Sequence, residues 1–410
     1  MQIITNIPLM ALVAVLILIA VRQVGRVKLQ IWQIMLGGAV AVLAAGSIKP
    51  VKALEAVNLD VMLFLFGMFI VGEALRRSGY LYRLSHKIFR RAKTPDALIL
   101  LILFVIGAFS AILMNDTLAI IGTPLMLHFA SRHKIPARLL LLTLAFAVTI
   151  GSVASPIGNP QNLLVAINGG VASPFLTFLR YLALPTILNL FIAYALLKIF
   201  CRRAFTAAVL NHCEEPISDA RLALLSRISL IVILVLIAVK IASVFAGVEF
   251  RLTYIALAAA LPIALFSPQR FRVLRNIDWT TLVFFAAMFI LMQSVWDTGF
   301  FQAAAQGRDL TGIPMILGVS IVLSQLISNV PFVALYLPLL AGAGTAQMMA
   351  LAAGSTIAGN LFILGAASNV IIIQNAEKQG QTITFLEFAR IGIPLTILNT
   401  AAYWFFLVLL

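Results

Sequence analysis

The segment Ser155-Pro-Ile-Gly-Asn-Pro-Gln-Asn162 interrupts a strongly apolar part of the chain, between the runs LLLLTLAFAVTIGSVA and LLVAI. Pro156 and Pro160 each remove a backbone donor, and Gly158 frees the backbone, so a continuous helix is not expected here. A helix break inside hydrocarbon persists only where the released backbone groups meet other protein groups or line a cavity. The segment therefore predicts a discontinuous membrane helix.

The composition of the 410-residue chain is typical of an all-α polytopic membrane protein. The chain is 62% hydrophobic and only 10% charged, whereas soluble domains carry about a quarter charged residues. Apolar stretches near the ~20-residue length that spans hydrocarbon recur throughout. They lack the period-two alternation of membrane β-strands. The first apolar stretch has no basic region or cleavage site before it, so we expect a first span and not a signal peptide.

The remaining composition favours neither an enzyme nor a nucleic-acid-binding protein. The net charge of +15 fits the Lys and Arg excess of cytoplasmic loops. Cys201 and Cys213 lie in one polar linker and form no disulfide framework, and no histidine pair has metal-ligand spacing. No cofactor or metal is expected. A Walker A motif is absent, so gradients should drive any transport, unless a separate cytoplasmic ATPase docks.

Hydropathy predicts ten crossing helices. They lie near Ile7–Val21, Ile31–Gly46, Leu59–Leu75, Leu139–Ala154, Phe175–Leu197, Ile228–Gly247, Leu252–Phe266, Trp279–Trp296, Met348–Leu364 and Ile391–Leu410. Two further apolar blocks, 97–130 and 313–342, are interrupted by MNDT at Met114–Thr117 and by SNVP at Ser328–Pro331. Each half of these blocks is short for a full crossing, so each block is predicted to be a re-entrant hairpin.

The distribution of basic residues supports this layout. With the N-terminus outside and both blocks as hairpins, 22 of the 29 Lys and Arg residues fall in inside loops and 4 in outside loops. Such an excess is the positive-inside pattern. A single crossing by either block would move the following basic loops to the other face. We therefore expect a multi-pass protein of the cell (inner) membrane with both termini extracytoplasmic.

The two halves of the chain resemble each other. The segment from Asn58 matches the segment from Asn276, and other matched residues keep a constant spacing. Asn115 and Pro124 match Asn329 and Pro338, while Thr149, Gly158, Asn162 and Asn168 match Thr356, Gly365, Asn369 and Asn375. Because each half has five crossings, an odd number, the halves should be inverted, as in many secondary transporters.

The repeat predicts three parts of the chain. Residues 1–200 form the first inverted repeat, with a hairpin at 97–130 and a broken helix at 139–168. Residues 201–227 form a cytoplasmic linker. Residues 228–410 form the second repeat, with a hairpin at 313–342 and a broken helix at 348–376. Gly365 marks the second helix break, opposite Gly158 in the first.

Amide and hydroxyl side chains gather at the four interruptions and are the candidate substrate-binding residues. They are Asn115, Thr117, Ser155, Asn159, Gln161, Asn162, Ser328, Asn329, Ser368 and Asn369. Such groups donate and accept hydrogen bonds, which suits a neutral polyol-like solute or a partly desolvated oxyanion. The same residues could instead cap the ends of the broken helices.

Asp116 is the one acid expected deep in this site. An intramembrane carboxylate is a functional candidate by default, and removal from water favours its protonated form, which suits a proton carrier. The alternatives are a sodium ligand or an Asp that caps the backbone of its own hairpin. Glu73 lies near Arg77 at the basic end of its span, where an interfacial ion pair is expected.

Four motifs resemble the ion transporter superfamily, and more closely its ArsB/NhaD-type permeases. They are MNDTLAIIGTP (Met114–Pro124), SPIGNPQN, LSQLISNVP (Leu323–Pro331) and GNLFILGAASN (Gly359–Asn369). The resemblance implies a scaffold and a mobile transport domain that contains the hairpins and broken helices, an elevator-like motion, and often a homodimer.

The tip sequences bear on the cargo. The superfamily's dicarboxylate carriers have Ser-Asn-Thr at both tips, whereas here Asp116 stands in the first tip and the second reads Ser328-Asn329-Val330-Pro331. The Asn-Asp tip is similar to that of arsenite-permease relatives.

The leading expectation is therefore proton-coupled efflux of arsenite, antimonite or a similar small inorganic solute. Asn115, Asn162, Asn329 and Asn369 would contact the solute's hydroxyls, with Asp116 as the proton site. Sodium/proton antiport and organic-anion (dicarboxylate) transport stay open. A membrane scaffold without transport is disfavoured, since it needs no paired helix breaks.

Overall fold

The computed structural model describes residues 6–21, 23–24, 27–28, 30–80, 83, 87, 89, 92–205, 219–243, 250–300, 303, 310–377 and 379–409. The part of the linker at 206–218, with Cys213, lies outside the described residues. So do several basic residues that entered the charge count, among them Arg22, Arg26 and Lys378.

The described residues are almost entirely helical. The first half contains α1 (Ile7–Val21), α2 (Ile31–Ala44), α3 (Pro50–Ala56), α4 (Leu59–Ser78), α5 (Pro95–Leu101), α6 (Gly107–Leu113), α7 (Asn115–His133), α8 (Ala137–Ser152), α9 (Pro160–Asn168) and α10 (Pro174–Phe200). The second half contains α11 (Ala220–Ser243), α12 (Leu252–Phe266), α13 (Arg270–Arg275), α14 (Trp279–Trp296), α15 (Ile313–Ile327), α16 (Asn329–Tyr336), α17 (Thr345–Ile357), α18 (Ala367–Glu377) and α19 (Phe385–Leu409). The all-helical prediction is confirmed, apart from one ribbon in which β1 (Gln23–Val24) pairs antiparallel with β2 (Val27–Lys28).

Several of these helices match the length of a membrane crossing. Within the described ranges five helices are long and apolar enough to span, and a sixth counts if α3 and α4, bent by 55°, form one span. One of the five is Pro95–Leu113, which joins α5 and α6 through a π turn over Ile102–Ile106. This leg of the first hairpin block is 19 residues long, so the expectation that each half is too short to cross does not hold for it.

The matched segments at Asn58 and Asn276 fold alike. The Asn58 side chain caps α4 by accepting from the Val61 N–H at 3.0 Å, and Asp278 caps α14 by accepting from the Thr281 N–H at 3.0 Å. Both helices end before a left-handed glycine, Gly79 with φ 73° and Gly299 with φ 72°. Glycine takes this conformation at little steric cost, which explains the matched helix ends.

Close helix crossings depend on small residues. A Cβ on Gly67 of α4 would lie 2.7 Å from the backbone of Ala256 in α12, and one on Gly151 of α8 would overlap the backbone of Gly107 in α6. Lipid gives no hydrophobic drive to helix association, so close backbone packing of this kind holds the bundle together. The contact between Gly151 and Gly107 packs α8 against the first hairpin block.

Polar contacts connect the two ends of the first hairpin block to two helices, α10 and α19, that contact each other. At its start, Asp96 accepts hydrogen bonds from Lys198 and from Tyr194, both near the end of α10, each at 2.6 Å. After its end, Arg138 at the start of α8 forms an ion pair with Glu387 at the start of α19. The guanidinium of Arg390, one turn along α19, stacks over Phe200 at the end of α10, 5.5 Å from the ring centroid.

Candidate functional site

Two non-glycine residues with positive φ divide the hairpin blocks. Met114 has φ 69° and ψ 140° and Ser328 has φ 69° and ψ 158°, and each precedes a helix that begins with asparagine, α7 at Asn115 and α16 at Asn329. Side chains other than glycine rarely adopt this region, at a cost of about 1–3 kcal/mol each. The two tips are thus built on the same strained backbone turn.

The first helix break is closed by one asparagine. Between the end of α8 at Ser152 and the start of α9 at Pro160, the Asn162 amide donates to the carbonyls of Ser152, Val153 and Ser155 at 3.1, 3.2 and 3.0 Å. Asn162 is fully buried. Its amide therefore satisfies carbonyls that the break releases, which hydrocarbon would leave unpaired.

Hydrogen bonds connect the same break to the second half of the chain. The Thr356 hydroxyl, in α17, lies 3.1 Å from the Asn162 Oδ1. The amides of Asn159 and Gln161 lie 3.2 and 3.3 Å from the same hydroxyl. Asn159 also caps α9 by accepting from the Asn162 N–H at 2.8 Å.

The first hairpin tip rests on the first break. The backbone N–H of Asn115 donates to the carbonyl of Gly158 at 2.9 Å. A side chain on Gly158 would meet the backbone of Ser152, so glycine is required for the loop to fold back on the end of α8. This contact fixes the position of Asn115 and Asp116 relative to α9.

The second break is built differently. After α17 the chain passes through two short 3-10 turns, Ala358–Asn360 and Ile363–Gly365, before α18. The Asn369 amide donates to the Gly359 carbonyl at 2.6 Å, and the Gln325 amide, from α15, donates to the Ala358 carbonyl at 2.8 Å. Thus α15 of the second hairpin block touches the second break.

Several buried polar atoms at the second break and tip have no hydrogen-bond partner among the described residues. They are the Oδ1 of Asn329, the Oδ1 of Asn369, the Oγ of Ser368, and both amide atoms of Asn360. At the first break the side chains of Asn159 and Asn162 are engaged with protein groups. The two breaks match in sequence but differ in how many polar atoms they leave unpaired.

A cavity of about 610 Å³ joins both tips to both breaks, and we call it the tip cavity. Of the predicted site residues, those that line it are Asn115, Asp116, Pro160, Gln161, Ser328 and Asn329. Asn329 and Asn115 are each only 5% exposed. The structure therefore brings together residues that are more than 200 positions apart in sequence.

The other predicted site residues lie elsewhere. Ser155, Pro156, Gly158, Asn159 and Asn162 form the first break, with Asn159 and Asn162 fully enclosed. Gly365, Ser368 and Asn369 are buried in the second break. Thr117 lines a separate cavity of about 300 Å³ beside Gly72 of α4. These positions suit the capping role that the sequence left open for several of them.

Sequence reasoning missed part of the tip cavity. Asp278, Thr280 and Thr281 at the start of α14, Gln374 of α18, and Gln30 also line it. Asp278 accepts hydrogen bonds from the hydroxyls of Thr280 and Thr281, each at 2.6 Å. The internal repeat matches Asp278 with Asp60, so the sequence marked the position. However, Asp60 forms an ion pair with Arg251 at 3.1 Å. The sequence alone does not tell which of the two acids lines the cavity.

The charged groups of the tip cavity are acidic. Asp116 and Asp278 both line it, and no Lys or Arg occurs among its described lining residues. Asp116 has no ion-pair partner in the part of the chain that the structure describes. The same part of the chain contains no group of three His, Cys, Asp or Glu residues placed to hold a metal. The lining suits an uncharged hydrogen-bonding solute or a cation.

Comparison with known proteins supports a transporter. The chain is 28% identical to a 46 kDa membrane protein of Mycobacterium leprae over 84% of this chain and 85% of that one. It is 28% identical to an uncharacterized transporter of Mycobacterium tuberculosis over 90% of each chain. It is 26% identical to a silicon efflux transporter of rice, Oryza sativa subsp. japonica, over 89% of each chain.

The fold is similar to that of a solved transporter. The crystal structure of the Alcanivorax borkumensis YdaH transporter matches 98% of this chain and 96% of that one, with a TM-score of 0.55 and 13% sequence identity. At this identity the match shows the fold alone. The sequence profile of the family described as citrate transporter, CitMHS, matches residues 13–348. The chain is therefore a membrane transporter that belongs to the CitMHS citrate transporter family.

Proposed function

We propose that this protein is a secondary transporter that moves a small uncharged hydroxylated inorganic solute, such as arsenous or silicic acid, through the tip cavity. The observation that carries the proposal is the meeting of Asn115, Asp116, Ser328 and Asn329, from the two tips, on the wall of one cavity. Binding near interrupted helices is the general plan of secondary transporters.

The lining chemistry favours an uncharged solute. Arsenous and silicic acids are neutral hydroxides at pH 7, and amides and hydroxyls can both donate to and accept from such groups. The unpaired Oδ1 of Asn329 can accept from a solute hydroxyl. A citrate anion, by contrast, would enter a cavity whose charged lining residues are Asp116 and Asp278, and a buried charge without a partner is costly. The rice relative's name, a silicon efflux transporter, agrees with the neutral solute.

Contacts at the ends of the first hairpin block support its re-entrant character. Asp96, before the block, contacts Lys198 at the end of α10, while Arg138, after the block, contacts Glu387 at the start of α19. Arg390 over Phe200 ties those two helix ends together. A block that crossed the bilayer once would have its ends on opposite faces. Together with the residues matched between the two halves, the arrangement favours two inverted repeats, 1–200 and 228–410. We also propose that the protein lies in the inner membrane.

Asp116 is the proposed coupling group. It lies at the first tip, directly after the residue that binds the Gly158 carbonyl, and it lines the tip cavity with no basic partner among the described residues. A carboxylate in such a place can take up a proton on one face and release it on the other. We propose that the tips and breaks move as one unit relative to the rest of the protein, which is an elevator-like motion. In a homodimer the remaining helices of the two copies would form the fixed scaffold.

Sodium/proton antiport is the second candidate, because the tip cavity holds two carboxylates, Asp116 and Asp278, that could bind a cation. Dicarboxylate transport has less support, since the lining offers no basic side chain among the described residues.

The test is flux in proteoliposomes made from the purified protein. We expect silicic acid and arsenite to move faster than in empty liposomes, and a pH gradient to drive their accumulation. The double change Asn115→Ala and Asn329→Ala should abolish the flux, while Gln379→Ala, at an exposed position, should not. Sodium-driven proton movement without solute flux would establish the antiporter instead, and uptake of citrate or succinate alone would overturn the neutral-solute proposal.

A further inference from the structure

A second and larger cavity lies at the other end of α14. It has a volume of about 720 Å³, and its polar lining residues include Asn58, Asn168 and Gln293, after which we call it the amide cavity. Phe289, Met292 and Trp296 of α14 form an apolar wall. Residues of the C-terminal half of α14 line the amide cavity, whereas residues of its N-terminal half line the tip cavity. The two cavities therefore open toward opposite ends of this helix.

The amide cavity has a counterpart lined by matched residues of the other half of the chain. Aligning α4 with α14 at Met68 and Met288 pairs the lining residues of two cavities. The pairs are Phe69 with Phe289, Gly72 with Met292, Glu73 with Gln293 and Arg76 with Trp296; Asn58 pairs with Asn276 when the second segment is given two inserted residues before Met288. The counterpart has a volume of about 300 Å³, and we call it the ion-pair cavity.

The two counterparts differ in charge. In the ion-pair cavity Glu73 accepts two hydrogen bonds from Arg76, at 2.8 and 2.7 Å. In the amide cavity the same positions hold Gln293 and Trp296, and none of the described lining residues is charged. The Asn58 amide donates to the Asn168 Oδ1 at 3.0 Å. An uncharged solute with several hydroxyls fits this lining better than an ion does, since amides offer both donors and acceptors.

A thin barrier separates the amide cavity from the tip cavity. Three helices, α9, α14 and α16, line both cavities with residues only three or four positions apart. The paired lining residues are Gln161 and Leu164 in α9, Phe285 and Phe289 in α14, and Val330 and Ala334 in α16. At a rise of 1.5 Å per residue this separation is about 4.5–6 Å along each helix axis. The rings of Phe285 and Phe289 lie 6.5 Å apart, one on each side.

We propose that the amide cavity is a second binding site for the same uncharged hydroxylated solute, on the opposite face of the membrane from the mouth of the tip cavity. This rests on the proposed function. A solute held by Asn58, Asn168 and Gln293 is one helical turn from the tips. A displacement of the tips of about that size carries the solute across the Phe285 and Phe289 barrier.

Cysteine labelling in sealed membranes tests this proposal. In a Cys201→Ala and Cys213→Ala background, Gln293→Cys reports on the amide cavity and Thr280→Cys on the tip cavity. Met292→Cys serves as a second reporter for the amide cavity if Gln293→Cys does not fold. A membrane-impermeant thiol reagent is applied from each face separately, with and without silicic acid, which does not bind thiols as arsenite does.

We expect Gln293→Cys and Thr280→Cys to react from opposite faces, and silicic acid to slow both reactions. The slowing should be about tenfold at roughly ten times Kd, because only the unoccupied fraction reacts. Reaction of both from the same face, or of neither amide-cavity cysteine from any face, overturns the proposal. If silicic acid protects Thr280→Cys but neither Gln293→Cys nor Met292→Cys, which keeps all three amides, the amide cavity is not a solute site although the proposed function stands. If it protects neither cysteine, and the unmodified protein moves no silicic acid, the proposed function itself fails.

Discussion

Met114 and Ser328, 214 positions apart, have the same φ of 69° at the tips of the two hairpin blocks. Each directly precedes an asparagine that begins a helix and lines the tip cavity. A shared conformation that most side chains avoid indicates that the tips are held by the surrounding structure, since such strain persists only where neighbours enforce it. Each tip therefore takes a defined conformation at the wall of the tip cavity.

Replacing Ser328 tests this strain. Ser328→Gly and Ser328→Ala both remove the hydroxyl, but only glycine adopts the tip conformation without steric cost. We expect the glycine variant to be more stable than the alanine variant by about 1 kcal/mol, the strain less the entropy that glycine loses on folding. Thermal unfolding of the two purified variants in the same detergent measures the difference. Equal melting temperatures would mean that the strain does not exceed the entropy that glycine loses on folding.

Asn162 and Asn329 should respond differently to alanine. Asn162→Ala removes the amide donor that the carbonyls of Ser152, Val153 and Ser155 share. The Ser152 and Ser155 carbonyls keep long backbone bonds of 3.4 and 3.3 Å, and a buried group left unpaired costs about 1–3 kcal/mol. We expect poor folding and a greatly lowered melting temperature. The Asn329 side chain has no hydrogen bond to a described residue, so Asn329→Ala should keep the fold and lose solute flux.

Unfolding curves together with flux separate these roles. A stable Asn162→Ala protein with lost flux would assign Asn162 to the solute. An Asn329→Ala protein that fails to fold would assign Asn329 to structure.

Two glycines offer a matched test of the helix packing behind the first hairpin block. An alanine methyl at Gly151 would overlap the backbone of Gly107, whereas nothing lies within 4 Å of a Cβ at Gly318 in α15. We expect Gly151→Ala to destabilise by about 1–3 kcal/mol or more through overpacking, and Gly318→Ala to stabilise by up to about 1 kcal/mol through helix propensity. The measurement is the melting temperature of each variant. A tolerated Gly151→Ala would show that α6 and α8 are not in backbone contact.

Asp116 should couple flux to the pH gradient. Asp116→Asn keeps the shape of the side chain and, like a protonated carboxyl, can donate and accept hydrogen bonds, but it cannot exchange a proton. We expect downhill solute flux to continue and gradient-driven accumulation to disappear. Glu55→Gln, at an exposed acid of α3, is the control and should accumulate solute normally. If Asp116→Asn still accumulates solute against its gradient, the proton enters elsewhere, and Asp278→Asn is the next variant to measure.

Local signals in the sequence account for most of the helices. The limits predicted for α1, α12 and α14 agree with the structure, because long apolar runs bounded by polar or glycine residues define them. The break at α9 follows from Pro156, Gly158 and Pro160, whose effects on the backbone are local. The short helices α3 and α13 were missed, since neither is apolar enough to give a hydropathy signal.

The roles of individual polar residues depend on the fold and could not be predicted. Asn162 and Asn329 belong to equally polar motifs, but one binds three carbonyls while the other lines the tip cavity. Asp278 and Asp60 occupy matched repeat positions, but only Asp60 has an Arg beside it. Long-range packing decides these differences, and a motif of four to eight residues carries no information about it.

A structure of the purified protein with silicic acid bound would locate the solute. We expect solute density between the two tips, within hydrogen-bond distance of the Asn329 side chain and beside Asn115 and Asp116. Density held elsewhere, with the tip cavity closed or filled by side chains, would contradict the assignment of the tips as the solute site.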